Sequence, residues 1–308
     1  MLSDLNQKIY FISGPTAIGK SSFAIKLAKK INGIIINADS MQIYSNLKIL
    51  TARPSKKDHK IVNHKLYGYV DASERYNVAK WCNDISKVLS ENKKNKHPSI
   101  IVGGTGMYIN ALLNGLLDLP VVTEIIKKQS EELLNKVGLK NFVEKIHQFD
   151  PEALDSISLN DSMRLRRIWE IYKSSGIKYS QFKKNNNKQF LKKNSFSLYL
   201  FTPLREQIYQ NVNIRFKKMI EEGVIEEVKR LISLNLDPSL PLMRAHGVRE
   251  ISNYLSNHIS LEECIDQSQQ VTRNYVKRQL TWWRTSRLPV QQVFYQFPNE
   301  IDEKMIKI

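Results

Sequence analysis

Cysteine is nearly missing from this chain. Two occur in 308 residues, Cys82 and Cys264, with no metal-site spacing around them. That argues against a disulfide framework and a cysteine-based zinc site, and a reducing, cytoplasmic compartment is the expectation. Long apolar runs are missing as well. No stretch approaches the ~20 apolar residues that a membrane-spanning helix needs, so no membrane partner is expected. The stretch Met1 to Lys8 is polar and leads straight into a strand. It lacks the basic, apolar and small-residue sections of a secretory leader. No internal repeat is visible. Acidic residues are in short supply: 30 stand against 47 basic ones, for a net charge of +17 and a pI of about 9.7. A surface this basic favours polyanionic partners. A lysine-rich composition alone would give the same total, and only 14 of the basic residues are arginine. Clustering of those arginines is therefore the more telling feature, and several do cluster.

What is present reads as an α/β chain. The balance of 42% hydrophobic and 25% charged residues suits one large domain carrying a smaller insertion. Ile9-Tyr10-Phe11-Ile12, Ile34-Ile35-Ile36-Asn37 and Ser99 to Val102 are short apolar runs expected to form buried strands. Between them Ser22 to Lys30 and Ser73 to Asn92 read as helices, the second with Val78, Trp81, Ile85 and Leu89 at helical spacing. Strand–helix alternation predicts a parallel sheet flanked by helices. From Val121 to Asn194 the strand signal disappears. Glu124 to Lys136, Leu139 to Phe149 and Asp161 to Ser174 read as helices, with Asp161 as N-cap, and Lys183 to Lys193 as a solvated loop. The expected organisation is thus a catalytic domain over 1–120 and 195–308, with a helical insertion over 121–194. Phe196 to Phe201 restores a strand, and long helices follow over Arg205 to Leu234 and Leu261 to Arg287.

The first strand runs into Gly14-Pro15-Thr16-Ala17-Ile18-Gly19-Lys20-Ser21, which fits the P-loop pattern G-x-x-x-x-G-K-[ST] between a strand and a helix. Glycines let backbone N–H groups close around phosphate oxygens, and the helix N-terminus adds about half a positive charge. Lys20 supplies a full charge, and the Ser21 hydroxyl is a candidate Mg²⁺ ligand. This predicts a di- or triphosphate ligand without saying what the phosphate carries.

Further motifs follow in order: Ala38-Asp39-Ser40-Met41-Gln42-Ile43-Tyr44, Thr51-Ala52-Arg53-Pro54, Gly103-Gly104-Thr105-Gly106-Met107-Tyr108, and Thr272 to Arg284, ending in Trp282-Trp283-Arg284. Together with the P-loop they resemble the tRNA isopentenyltransferase (tRNA dimethylallyltransferase) family, over roughly Lys8 to Pro289. The resemblance implies a P-loop NTPase-like fold and transfer of a dimethylallyl group, from its diphosphate and with Mg²⁺, to the exocyclic amine of the adenosine 3′ of the anticodon in tRNA. It also implies a monomer. It makes Asp39 the general base and Arg215, within Asn213-Ile214-Arg215-Phe216, an arginine that reaches the diphosphate alongside Lys20 and Thr105. Ser40, Met41 and Gln42 would meet the tRNA.

The residues are chemically apt on their own account. In an open parallel sheet, ligands bind beyond the carboxyl ends of strands, where the P-loop, Asp39 and Thr105 all fall. An adenine amine is a weak nucleophile that a carboxylate accepting its proton improves. Donors held around a departing diphosphate are the main source of rate. Arg273, Lys277 and Arg284 fall within about 40° of one another on a helix, a basic stripe beside the apolar Val276, Leu280 and Trp283.

In the insertion, Asn160-Asp161-Ser162-Met163-Arg164-Leu165-Arg166-Arg167 resembles a tRNA-contacting segment of the family, with Met163 in place of its glutamine. Lys127 stands where the family often has a tRNA-facing basic residue. His246 and Arg249 belong to a further matching segment in which Val248 replaces a tyrosine. An anticodon loop suits the acceptor, because extruding a base is least costly from a single strand. A P-loop kinase of a small metabolite shares the cradle and Asp39 but needs an arginine-rich lid and no basic C-terminal helix. An RNA-dependent NTPase would need a second acidic residue after a hydrophobic strand, and none is apparent.

Overall fold

The computed structural model describes residues 8–155, 157–184, 190–191 and 195–307. They form two compact units: Met1–Leu113 with Phe190–Ile308, and Asn114–Gln189. The expected insertion boundaries, 121 and 194, lie a few residues C-terminal to these. In the first unit β1 (Ile9–Ser13) leads to α1 (Lys20–Ile31), β2 (Ile34–Asn37), α2 (Lys56–Ile61), β3 (His64–Lys65), α3 (Val78–Lys94), β4 (Ser99–Gly103) and α4 (Gly106–Asn114). The second unit holds α5 (Glu124–Phe149), α6 (Pro151–Leu154), α7 (Ser162–Ser175) and α8 (Tyr179–Lys184). The chain returns through β5 (Phe196–Phe201), α9 (Arg205–Glu221), α10 (Val224–Ile232), α11 (Val248–Leu255), α12 (Leu261–Thr285) and β6 (Gln292–Phe294).

The sheet order is β3-β2-β4-β1-β5-β6, and every pairing is parallel. Central β1 pairs with β4 (Ile9 opposite Ser99) and with β5 (Ile9 opposite Phe196). All five of its residues are buried, as a strand covered on both faces requires. Tyr10, Ile12, Ile35, Ile100 and Tyr199 of the sheet pack with Phe23 and Leu27 of α1, Val212 of α9 and Val276 of α12 in one apolar cluster. That cluster fixes α1, α9 and α12 around the carboxyl ends of β1, β2 and β4. No helix of the described residues is long and apolar enough to cross a membrane.

Three expectations change at their ends. The helix expected from Ser73 starts at Val78, because Asn77 caps it by accepting the Lys80 N–H at 3.0 Å. The helix expected over Arg205 to Leu234 is two, since Gly223 at φ 90° closes α9 and opens α10. The helices expected over Glu124 to Lys136 and Leu139 to Phe149 do part at Gly138, which is non-helical (φ 75°, ψ 164°). Asp161 caps α7 through the Arg164 N–H, 3.1 Å away. The second unit has its own core of Phe142, Ile146, Ala153, Leu165 and Ile168. Within the expected loop, Lys183 and Lys184 close α8, and 185–189 and 192–194 lie outside the described residues.

Candidate active site

Gly14 leaves β1 at φ 145°, and a β-carbon there would stand 2.3 Å from the Phe201 carbonyl oxygen at the end of β5. Only glycine lets the loop turn so tightly against the neighbouring strand. Helix α1 then starts without a side-chain cap and without an acidic residue in its first turn. Its first N–H groups and positive end therefore stay available to an anion. The Lys20 ammonium donates to the Pro15 carbonyl, which folds the side chain back over the loop. Desolvation among the loop atoms pulls its pKa down to about 7; Asp39 opposes the shift and Arg215 adds to it. From α9, Arg215 Nη2 donates to the Thr16 hydroxyl at 3.0 Å. Burial holds this guanidinium below its usual range, and Asp39 works against that.

Asp39 follows β2 and is clamped on one side. Its Oδ1 accepts the Met41 N–H at 2.9 Å, and its own N–H donates to Asn37 Oδ1 at 2.8 Å. The fully buried Asn37 returns its amide to the Asp39 carbonyl (3.0 Å) and to the Leu66 carbonyl (3.0 Å). Asp39 Oδ2 has no hydrogen-bond partner among the described residues.

Two cavities meet at this point. One, of about 440 Å³, is lined by the P-loop from Thr16 to Ser21, with Tyr67, Gly104, Lys218 and Gln279. The other, of about 180 Å³, is lined by Ser40, Met41, Leu50, Thr51, Ala245, His246, Thr272 and Tyr275. Thr16, Asp39 and Arg215 line both. The site is therefore a P-loop chamber and a second chamber, with one carboxylate and one guanidinium at the junction.

The IPP transferase family model matches residues 42–286. A tRNA dimethylallyltransferase of Ehrlichia ruminantium (strain Welgevonden) is 41% identical over 294 residues, 95% of this chain and 93% of the relative. The tRNA dimethylallyltransferase of Wolbachia pipientis wMel is 40% identical, over 91% of this chain and 93% of its own. The chain belongs to the IPP transferase family. Two solved structures agree. A tRNA isopentenylpyrophosphate transferase from Bacillus halodurans matches with a TM-score of 0.66 at 30% identity, covering 97% of this chain and 92% of that one. A eukaryotic dimethylallyltransferase acting on tRNA gives 0.76 at 26% identity, covering 90% of this chain and 69% of its own. The sheet and its flanking helices are thus the P-loop NTPase-like fold of IPP transferases.

Within this IPP transferase the expected site residues separate. The P-loop, Asp39, Ser40, Met41, Arg215 and His246 share the two chambers. Thr105 stands one step behind the wall. Its hydroxyl accepts the Ser40 N–H at 3.4 Å. The Gln42 amide is spent on the Thr51 carbonyl at 2.8 Å, and Gln42 lines the P-loop chamber. His246 packs against Tyr275 (ring centroids 4.9 Å); desolvation and the Arg278 charge keep its imidazole below the usual range. Arg249 is exposed on α11.

The stripe on α12 divides. Arg273 donates to Asn213 Oδ1 at 2.6 Å and to Gln270 at 2.7 Å, so it ties α12 to α9. Lys277 and Arg284 remain exposed, beside a separate cleft with Leu204, Trp283 and Tyr295.

In the second unit, two expected tRNA contacts are corrected. Leu165 is fully buried in that unit's core. Arg166 is consumed by the fold, donating to Ser130 Oγ at 3.0 Å, the Lys127 carbonyl at 3.1 Å and Glu131 at 3.3 Å, which joins α5 to α7. Met163 and Arg164 are exposed. Lys127 pairs with Glu124 at 2.7 Å and Arg167 with Glu170 at 3.8 Å, both at partly exposed positions.

Three site residues escape the sequence reading. Gln279 Oε1 accepts the Thr16 N–H and its Nε2 donates to the Gly104 carbonyl, both at 2.9 Å, so α12 staples the P-loop to the loop after β4. A β-carbon at Gly104 would strike that amide at 2.3 Å, which is why glycine stands there. Tyr275 closes the second chamber; burial and then Asp39 push its phenol up to about 12. Glu227 of α10 accepts the N–H groups of Lys48 (2.7 Å), Ile49 (2.9 Å) and Leu50 (2.9 Å), fixing the loop that carries Leu50 and Thr51 to the chamber wall. The spacing of Thr272, Tyr275 and Gln279, three and four residues apart, is a helix-face signal that would have singled out Tyr275 and Gln279.

Proposed function

We propose that the chain transfers a dimethylallyl group from dimethylallyl diphosphate to the exocyclic N6 amine of the tRNA adenosine 3′ of the anticodon. The junction of the two chambers carries this reading: Asp39 is held by one oxygen and presents the other where Thr16 and Arg215 also stand. The P-loop chamber takes the donor diphosphate, and the second chamber takes the extruded base. Lys20, Arg215 and the first N–H groups of α1 stabilise the charge that collects on the departing diphosphate. Asp39 accepts an N6 proton as the N6–carbon bond forms. The binding of diphosphate restores the charge on Lys20 that desolvation weakens.

Mg²⁺ fits this chamber as a substrate-borne ion. The Ser21 hydroxyl lines the chamber, while no group of three or more His, Cys, Asp or Glu that could hold a metal occurs among the described residues. Phosphate oxygens and water would complete the shell, as Mg²⁺ prefers. The ion would neutralise part of the leaving-group charge. Action in the cytoplasm as a monomer is part of the same proposal, and both free cysteines are buried.

The test is mass spectrometry of tRNA after incubation with the protein, Mg²⁺ and dimethylallyl diphosphate. A C5H8 adduct on the adenosine next to the anticodon is expected. Unmodified tRNA, with ATP hydrolysed or ATP protecting the protein better than dimethylallyl diphosphate does, would instead support the kinase or NTPase readings.

A further inference from the structure

A chamber built for diphosphate is lined by small, hydroxylated and cationic groups. A five-carbon allyl group asks for something different. Tyr67 is the one aromatic residue among the described residues that line this chamber. Its ring meets the His64 ring edge-on at 5.6 Å and packs against the apolar cluster of the sheet.

The placement of Tyr67 is enforced. The residue before it, Leu66, has φ 64°, a left-handed conformation that a side chain with a β-carbon resists. The buried Asn37 amide holds it there through the Leu66 carbonyl, at 3.0 Å. The same side chain binds both the N–H and the carbonyl of Asp39, so one buried amide sets Tyr67 and Asp39 together. The residue after it, Gly68, has φ 58°, and a β-carbon there would displace the Arg53 guanidinium from its bonds to the Leu47 and Ser45 carbonyls. The Gly68 N–H is held by the Gln42 carbonyl at 2.9 Å. A strained turn fixed from both sides, next to a site, is a common mark of function.

The chemistry supplies the reason. As the carbon–oxygen bond to diphosphate breaks, its electron pair leaves with the diphosphate and positive charge spreads over the allyl carbons. The N6 lone pair then forms the new bond, and the N6 proton passes to Asp39. Positive charge is attracted to the face of an aromatic ring, more so where water is excluded. Burial and the nearby Asp39 raise the phenol, so the ring stays neutral.

We propose that Tyr67 is a catalytic residue whose ring faces the dimethylallyl group and stabilises the allylic positive charge. This rests on the dimethylallyl-transfer reading above. The test compares Tyr67→Phe, Tyr67→Leu and Tyr67→pentafluorophenylalanine in single-turnover transfer to tRNA, with donor KM, tRNA affinity and thermal unfolding measured alongside. The phenylalanine variant keeps the electron-rich face and should stay within about threefold of wild type. The leucine and fluorinated variants lose it and should slow transfer about 5- to 30-fold, with donor KM and unfolding temperature little changed. The fluorinated ring keeps the shape, so a folding defect in the leucine variant leaves the comparison intact. Equal rates for the plain and fluorinated rings would overturn the proposal, as would a phenylalanine variant as slow as the leucine one. A wild-type chain that yields no prenylated tRNA would sink the functional reading itself.

Discussion

Replacing Gln279 with alanine removes the only side chain that bridges the P-loop and the loop after β4 among the described residues. Two hydrogen bonds of 2.9 Å are lost, and the Thr16 N–H and the Gly104 carbonyl lose their partner. An orphaned buried backbone group costs about 1–3 kcal/mol, so the pair sets a range of roughly 2–6 kcal/mol. Gln279 lines the P-loop chamber, where water can reach the freed groups, which favours the lower half, about 2–3 kcal/mol. At roughly 2 °C per kcal/mol for a chain of this size, thermal unfolding should fall by about 4–6 °C. Donor KM should rise as well, because the Thr16 amide and hydroxyl sit at the junction of the chambers. Gln279→Glu sharpens the test. A carboxylate still accepts from Thr16 but opposes the Gly104 carbonyl and the incoming diphosphate. A like charge a few ångström away at an effective dielectric of about 20 costs roughly 3 kcal/mol, about a hundredfold in donor affinity. Calorimetric unfolding and steady-state donor kinetics measure both. A stability change under about 0.5 kcal/mol, with donor KM unchanged in both variants, would refute the stapling role.

Asp39→Asn should lower single-turnover transfer by about 10²–10⁴-fold while tRNA affinity stays within a few-fold; a near-wild-type rate would remove Asp39 from the chemistry. Burial pulls the Lys20 ammonium down to a pKa of about 7, below its ordinary value of 10.5, so the unfolded chain binds more protons between those values. Its contribution should therefore make the ligand-free protein more stable as pH rises through that window. Diphosphate binding above about pH 7 should take up a proton, read by titration calorimetry in buffers of different ionisation enthalpy, and Lys20→Met should abolish the uptake. Lys277→Ala and Arg284→Ala should each make the log–log salt dependence of tRNA binding shallower by up to about one unit. Arg166→Ala should instead destabilise the second unit with little change in that slope, because its guanidinium is bonded inside the unit; a slope change there would return Arg166 to the RNA surface.

Local pattern made much of this molecule legible. The P-loop could be read because its function lies in backbone conformation, and glycine, lysine and serine at fixed spacing dictate that conformation. The central strands could be read because burial on both faces demands continuous apolar runs. The strands β3 and β6 could not: two or three residues are too few for any periodicity, and they exist only because a neighbouring strand offers hydrogen bonds. The basic residues of α7 and α12 show the same limit. Arg164, Arg166, Arg273 and Lys277 look alike as a pattern of charge. Their partners, Asp161, Ser130 and Glu131, Asn213, and none among the described residues for Lys277, decide which of them remain free for an external anion.

The sequence by itself determined the family, the sheet-and-helix class and the place of the glycine-rich loop between β1 and α1, since those follow from short contiguous motifs. Only the tertiary structure decided that Asn37 orients both Asp39 and the turn of Tyr67, that Gln279 joins two loops 263 and 175 residues before it in the chain, and that Glu227 holds a loop 177 residues away. The physical reason is the nature of the groups. Each of these side chains satisfies backbone N–H and carbonyl groups that every residue carries, so the partner leaves no mark in the sequence.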